Sequence, residues 1–170
     1  KIFEYITKRY NINFYKRNKK LGGSNIRSDL IVNDFLKRNH CDILVWINPI
    51  APLQTPDEIK KIVNYFSKSN YDSLITSVKK QVHTNYKNKP LNYKKNQKFL
   101  KTQDLNYVEL MAYSLMMWKS KTFLKEYKIN NHAILCGKFT TYIVNDLSGI
   151  IVKYDRDLKL IESILKSNTK

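Results

Sequence analysis

The stretch Asp42-Ile-Leu-Val-Trp-Ile-Asn-Pro-Ile-Ala-Pro-Leu-Gln-Thr-Pro-Asp-Glu-Ile59 decides the fold. It reads as a buried strand, a sharp polar turn and the start of a helix. Ile43 to Ile47 form an unbroken apolar run, the pattern of a strand covered on both faces. Asn48 and Pro49 end it, because proline cannot donate to a sheet ladder. Thr55-Pro56-Asp57-Glu58 then opens a helix, with Thr55 as N-cap, Pro56 at the first helical position and Glu58 at capping-box spacing. In an open α/β sheet, ligands bind in the crevice beyond the carboxyl ends of the strands. Asn48 to Leu53 is therefore expected to floor a ligand site.

Upstream of this stretch, residues 2–10 place Ile2, Phe3, Ile6 and Tyr10 on one side of a helix. Ile12 to Tyr15 read as a short strand, with Arg17 at its carboxyl end; a solvated basic loop is the plainer reading of that arginine. Leu21 to Ser28 is a loop in which Gly22 and Gly23 allow close backbone approach. It lacks the spacing of a phosphate-binding P-loop. A helix follows over Ser28–Lys37, with Leu30, Ile31, Val32, Phe35 and Leu36 at its apolar positions. Ser28 reads as its N-cap, and a capped N-terminus is also an anion site.

Downstream, Glu58 to Lys68 form an amphipathic helix with Ile59, Ile62, Val63 and Phe66 inward. Tyr71 to Val78 is the next strand, with Lys79 and Lys80 at its carboxyl end, on the ligand edge of such a sheet. Gln81 to Asn106 is Lys- and Asn-rich and too long for an ordinary connection, so it is read as an excursion, a lid or an oligomer contact. His83, within it, has no partner at metal spacing and is assigned to the surface. Tyr107 to Trp118 fits a helix or a strand equally by pattern. Ser120 to Tyr127 reads as a short helix, Phe139–Val144 and Gly149–Lys153 as strands, and Asp155–Lys166 as a closing helix with Leu158, Ile161, Ile164 and Leu165 inward. The alternation argues for a mainly parallel α/β sheet.

The 170 residues suit one domain with a real core, and 42% apolar content is ordinary for a globular chain. No apolar run is long enough to span a membrane, and no signal-peptide pattern is present. Cys41 and Cys136 follow no metal or redox spacing, which points to a reducing cytosol and two small buried thiols. The formal charge of +17 favours an anionic partner. Lysine is spread over almost every segment and arginine is scarce, so a dedicated nucleic-acid interface is not expected. The first residue, Lys1, reads as that of a chain from which preceding residues have been removed.

Four segments together resemble the acylneuraminate (CMP-sialic acid) cytidylyltransferases and their relatives that activate other nonulosonic and 3-deoxy sugars with CTP. Asn48-Pro-Ile-Ala-Pro-Leu53 is similar to that family's Gln-Pro-Thr-Ser-Pro-Leu turn after a strand. Tyr71-Asp-Ser-Leu, then Lys79-Lys80, resembles its Asp-Ser-Val strand and basic exit. Val108-Glu-Leu-Met-Ala-Tyr-Ser-Leu115 resembles its Asn-Gly-Ala/Ser-aromatic-Tyr strand. Gly137-Lys138, then Gly149 to Leu158, resembles its Gly-Lys strand and Asp-Ile-Asp-x-x-x-Asp-Leu signature, with Asp157-Leu158 fixing the register. Arg17 fits the arginine that follows a strand in the nucleotide half.

The resemblance implies a three-layer, Rossmann-like nucleotide-diphospho-sugar transferase fold, here lacking the first strand and the phosphate loop. It implies a single partial domain over 1–170, with a protruding insert at about 82–106. The implied reaction is attack of a sugar hydroxyl on the α-phosphate of CTP, giving a CMP-sugar and pyrophosphate in the cytoplasm, with Mg²⁺ as cofactor. Arg17, Ser28 and Asn48 are the implied nucleotide contacts, and Lys79 and Lys80 the sugar or phosphate contacts. The implied partners are CTP, an acidic nonulosonic sugar and a second copy in a homodimer. The carboxylates expected to hold Mg²⁺ fall on Ile151 and Lys153, and the Asn-Gly pair on Leu110 and Met111. A lysine ammonium cannot ligate a cation that demands oxygen donors. No metal ligand and no catalytic residue are assigned, and the chain is expected to be impaired or inactive. The alternative is a non-catalytic homologue acting as a binding or partner subunit.

Overall fold

The computed structural model describes residues 2–167. In chain order its elements are α1 (Ile2–Arg9), α2 (Ser28–Arg38), β1 (Ile43–Ile47), α3 (Pro56–Lys68), β2 (Ser73–Lys80), β3 (Asn85–Tyr86), β4 (Lys89–Pro90), β5 (Val108–Lys119), α4 (Ser120–Asn130), β6 (Phe139–Ile143) and α5 (Asp155–Ser167). The main sheet has the order β1-β5-β2-β6, and β3 and β4 form a separate small hairpin. β5 runs antiparallel to β1 and β2, and β6 runs parallel to β2. Three of the four strands therefore point the same way, with β5 reversed between them. This is the α/β architecture that the alternation of segments implies, with the sheet mixed because β5 enters it antiparallel to its neighbours.

Helices cover both faces of the sheet. On one face Val32 and Leu36 of α2 and Phe123 of α4 pack with Ile75, Met116 and Trp118. Trp118 is fully buried, meets Phe123 and Trp46 edge-on, and donates from Nε1 to the Ile134 carbonyl at 2.8 Å. That bond satisfies the polar atom that makes a buried indole costly. On the other face Ile62 and Phe66 of α3 pack against Leu74, Val78, Leu115 and Met117. Ile59 and Val63 flank them half-buried, so the apolar stripe read from the sequence is the packed one.

α3 starts where its sequence dictates. Thr55 Oγ1 accepts from the Glu58 N–H at 3.2 Å, and Pro56 occupies the first turn. The box is only half made: Glu58 Oε1 instead accepts from the Asn145 N–H at 3.1 Å and from Asn145 Nδ2 at 3.2 Å. The helix start is thereby tied to the chain leaving β6.

Several expectations are corrected. Ile12–Tyr15 is not a strand; Tyr15 turns instead to α2, donating to Asp34 Oδ2 and meeting Phe35 edge-on. Gly149–Lys153 is not a strand either. Its backbone closes a turn, with the Gly149 N–H on the Asn145 carbonyl, and Val152 donates to Ile50 at 2.9 Å. A Cβ on Gly149 would stand 2.3 Å from Val78 Cγ1, so the turn sits too close to β2 for any side chain there. Ser28 is not an N-cap: Arg27 holds that position without a side-chain bond, and Ser28 is the first helical residue. Cys136 is buried, but Cys41 is exposed. His83 is half-buried, stacked on Phe99 at 4.0 Å and edge-on to Tyr93, so it is not a free surface group. Phe3 and Ile6 of α1 and Tyr10 just beyond it are exposed, as are Leu158 and Leu165 of α5, where Ile161 alone is buried. The expected inward position of Ile2 lies outside the described side chains.

The ambiguous segment Tyr107–Trp118 is the long strand β5. Its register breaks between Ile75 and Ser77 of β2: Ile75 faces Met116, whereas Ser77 faces Met111. Thr76 alone therefore spans Ala112 to Leu115. Its hydroxyl takes over the ladder, donating to the Leu115 carbonyl at 3.1 Å and accepting the Leu115 N–H at 3.0 Å. Tyr113, inside the bulge, is left at φ 55°, a conformation uncommon for an aromatic residue.

The segment between β2 and β5 closes on itself. Gln81 Nε2 donates to the Gln103 and Leu105 carbonyls, both at 2.8 Å. Asn92 Nδ2 donates to the Val82 and Asn106 carbonyls, and its Oδ1 accepts from Thr84. Two amide side chains thus pin the ends of a long loop whose tip carries the β3–β4 hairpin, as in a compact surface loop.

Candidate functional site

β1 ends at Ile47, paired with Leu115, and the Asn48 N–H donates to the Ser114 carbonyl at 2.9 Å. Beyond that point β5 runs on alone beside β2, so a step forms at the carboxyl end of β1. Arg27, Ser28, Asp29, Trp46, Asn48, Tyr113, Met116 and Ile134 line a cleft of ≈ 470 Å³ there. A cleft of that size, apolar with a few placed polar groups, suits a small ligand.

Each wall is held by identifiable bonds. Asp29 is buried, and its Oδ1 accepts the Ala133 N–H at 2.8 Å and the Ile134 N–H at 3.1 Å. This fastens the loop after α4 to the start of α2. Arg27 pairs with Asp29 at 3.8 Å and donates to the Asn131 carbonyl, which holds its guanidinium at the mouth. Asn48 Nδ2 donates to the Tyr113 carbonyl at 3.3 Å, and Asn48 Oδ1 accepts from the Ile50 N–H at 3.4 Å. One amide hydrogen and one oxygen lone pair remain for a ligand. Trp46 and Tyr113 offer aromatic surface. The start of α2 adds a positive dipole end.

The five residues singled out from the sequence fall into three places. Asn48 and Ser28 line the same cleft. Arg17 lies in a neighbouring apolar groove with Tyr15, Phe35 and Trp46, so Trp46 alone is shared between the two. Lys79 and Lys80 lie farther along, at the end of β2, and neither lines the cleft. Lys79 Nζ sits over the Tyr107 ring at 5.6 Å, and Lys80 pairs with Asp146 at 2.8 Å. Sequence reasoning missed Arg27, Trp46 and Tyr113. Arg27 stands beside Ser28 and could have been found from its place at a helix start. Tyr113 carried no signal, because the bulge that aims it depends on Thr76.

The positions expected to hold Mg²⁺ do lie beside this turn, through the Val152 to Ile50 bond. Their chemistry does not fit a metal. Ile151 is apolar and Lys153 is an exposed cation. The nearby carboxylate is already used: Asp157 Oδ2 accepts the Lys153 N–H at 3.0 Å and the Tyr154 N–H at 2.9 Å. Those bonds hold its pKa below the usual carboxylate range. Among the described residues there is no group of three His, Cys, Asp or Glu side chains that could hold a metal ion.

At the opposite end of the sheet, Asp72 organises the entry to β2 and β6. Its Oδ2 accepts the Lys138 N–H at 3.0 Å, its Oδ1 accepts from Thr122 at 3.2 Å, and Lys119 lies 3.7 Å away. The Lys138 N–H, then Thr122 and Lys119, hold the Asp72 pKa down against the opposing effect of burial. Gly137, at φ 57°, fits against this carboxylate, and a Cβ there would stand 2.5 Å from it. Gly137-Lys138 is thus a structural corner and does not line the cleft.

The fold is a mixed α/β fold with helices on both faces of the sheet. A solved structure similar to this chain is 4-diphosphocytidyl-2C-methyl-D-erythritol synthase from Anaerococcus prevotii DSM 20548, at a TM-score of 0.61 and 13% sequence identity. The match covers 97% of this chain and 73% of that one. No family model matches the sequence, and no curated protein does. No helix among the described residues is long and apolar enough to cross a membrane.

Proposed function

We propose that this chain is a cytidylyltransferase-type domain that binds CTP, and an acidic sugar of the nonulosonic class beside it, without turning them over efficiently. The observation that carries this reading is the cleft at the carboxyl end of β1. There Asn48, Ser28 and the Arg27 guanidinium share one wall system with the aromatic faces of Trp46 and Tyr113. A positive helix start and a guanidinium suit a phosphate. The aromatic faces suit a nucleobase. Impaired turnover follows from the donor set: phosphoryl transfer needs metal-bridged oxygens in line, and Ile151 and Lys153 supply none. No step is therefore assigned to Mg²⁺ in this chain.

A second reading is a non-catalytic partner subunit working in the cytoplasm as a homodimer. It is favoured by exposed apolar residues on the free end of β5 and in the loop before it, among them Leu110, Met111, Tyr107 and Phe99. Thermal unfolding with CTP, CMP-sugar and GTP, each with and without Mg²⁺, separates the readings. CTP is expected to raise the midpoint whether or not Mg²⁺ is present, while pyrophosphate release stays at background. The absence of any shift with nucleotide or sugar would sink the nucleotide reading. A dimer by sedimentation that dissociates when residues 82–106 are removed would support the partner reading.

A further inference from the structure

The loop between β2 and β5 concentrates charge of one sign. Residues 81–106 hold six lysines, no arginine and one acid, Asp104, a net +5 over 26 residues against +17 over the whole 170. Lys87, Lys89, Lys94, Lys95, Lys98 and Lys101 are all exposed. Among the described residues none of them makes an ion pair. Ammonium groups gathered without a counter-charge raise the local potential and attract an anionic surface.

The same loop turns apolar groups to solvent. Phe99 is 72% exposed, Tyr86 65% and Leu91 61%, with Val82 and Leu100 exposed beside them. These side chains do not belong to a slack segment. Gln81 and Asn92 pin the ends of the loop, the Leu91 N–H donates to the Thr84 carbonyl at 2.8 Å, and Tyr93 donates from its hydroxyl to Asn85 at 2.7 Å. Phe99 stacks on His83 at 4.0 Å and leaves the rest of its surface open. These bonds gather Val82, Leu91 and Phe99, distant in sequence, into one part of the loop. Both ends spring from β2 and β5, which pair with each other, so the shape of the loop does not depend on where the sequence begins. Exposed apolar side chains held together in this way mark an interaction surface.

We propose that this loop docks the protein on an anionic lipid surface, with its lysines over the headgroups and Tyr86, Leu91 and Phe99 entering the interface. Charge and side-chain type select this occupant. A second copy of the chain would set six lysines against six. A single-stranded nucleic acid takes stacking rings and has no use for Val82, Leu91 and Leu100, whereas lipid gains by burying them. Lysines need only lie near anionic lipids to attract them, which suits flexible ammonium groups and a loop without the planar fork of arginine. Surface binding of this kind requires no spanning helix. The inference does not rest on the nucleotide reading, and it competes with the homodimer for the same surface.

Co-sedimentation of the full chain with vesicles tests it. Binding is expected to phosphatidylcholine vesicles holding about 30% phosphatidylserine, and should be at least about ten-fold weaker to phosphatidylcholine alone. Raising the salt from about 0.1 to about 0.5 M should weaken it by a similar factor. Because the whole chain is basic, the place of the charge is tested with two triple variants of equal net charge. Lys94→Gln with Lys95→Gln and Lys98→Gln should weaken binding about ten-fold. Lys121→Gln with Lys125→Gln and Lys128→Gln, exposed lysines of α4, should weaken it about two-fold or less. Leu91→Ser should weaken it about five-fold at unchanged charge. Unfolding midpoints should match the parent, since all these side chains are exposed. No binding to the phosphatidylserine vesicles, or equal losses for the two triple variants, would overturn the proposal. Displacement from the vesicles by an oligothymidylate would overturn it in favour of nucleic acid. A dimer in solution that Leu91→Ser converts to monomer would overturn it in favour of a second copy.

Discussion

Asn48 and Tyr113 hold each other across the tip of β1, the amide of one donating to the carbonyl of the other at 3.3 Å while Tyr113 stands at φ 55°. A turn residue and a strained strand residue are thereby coupled, and the cleft depends on both. Asn48→Ala is expected to lower stability by about 1 kcal/mol, the ordinary net worth of such a bond. Because the same residue keeps a free donor and acceptor, the variant should also weaken CTP binding. Asn48→Asp keeps the acceptor toward Ile50 but loses the donor and adds a negative charge, so CTP binding should weaken further. Chemical denaturation and calorimetric titration check the two effects separately.

The bulge that aims Tyr113 rests on one buried hydroxyl. Thr76 Oγ1 bonds to both backbone groups of Leu115 and lies 2.9 Å from Ser114 Oγ. Thr76→Val preserves shape but strands a buried N–H and C=O, and should cost about 2–6 kcal/mol, since each orphaned group costs about 1–3 kcal/mol. Thr76→Ser, which keeps the hydroxyl, should cost about 1 kcal/mol, for the lost methyl group alone. Equal losses for the two variants would show that the hydroxyl is not what holds the strand.

The fold was largely legible because its signals are local. The apolar run before Asn48-Pro49, the Thr55 cap and the stripe Ile59, Ile62, Val63, Phe66 each state their element without tertiary help; the cap and stripe are found as read, while the run is a strand that is half-buried at the end of the sheet rather than buried on both faces. What the sequence hid depends on distant partners. Tyr15 left the expected strand because Asp34 and Phe35 of α2 offered its ring and hydroxyl a place. Gly149–Lys153 reads as a strand, but Gly149 closes a turn on the Asn145 carbonyl and Val152 donates to Ile50, neither of which is a sheet ladder. In the site, Asn48 and Ser28 were legible from a strand end and a helix start, two local features. Lys79 and Lys80 stand at a strand end too, yet Tyr107 and Asp146 take up their charge. Neither partner is adjacent in sequence, so nothing local could reveal the pairing.

The corner at Asp72 predicts an acid-sensitive contribution to stability. Its folded pKa is depressed, so the carboxylate stabilises the protein above its unfolded pKa, and that contribution is lost as pH falls through the folded value. Asp72→Asn should therefore lower the unfolding midpoint at pH 7, and the gap to the parent should close below about pH 4, where unfolded carboxylates take up protons. Gly137→Ala, by contrast, forces a Cβ into that carboxylate at a positive φ. It should destabilise by about 1–3 kcal/mol, as strain of this kind does. Parallel denaturation series at several pH values distinguish the charge effect from the steric one.

The two cysteines should differ sharply in reactivity. Cys136 is buried beneath Ser73 and Asp72, and burial, with Glu126 and Asp72 nearby, pushes its thiol up to about 12. The thiolate is the reactive form, so almost none of Cys136 is available at pH 8. Cys41 is exposed beside Ser120. Iodoacetamide at pH 8 should therefore modify Cys41 alone in the native protein, and both thiols once the chain is unfolded in guanidinium. Mass spectrometry of peptides from the two conditions reads the outcome directly. Native labelling of Cys136 at a rate comparable to Cys41 would mean that the core between β2, β6 and α4 opens far more often than its packing around Trp118 and Phe123 allows.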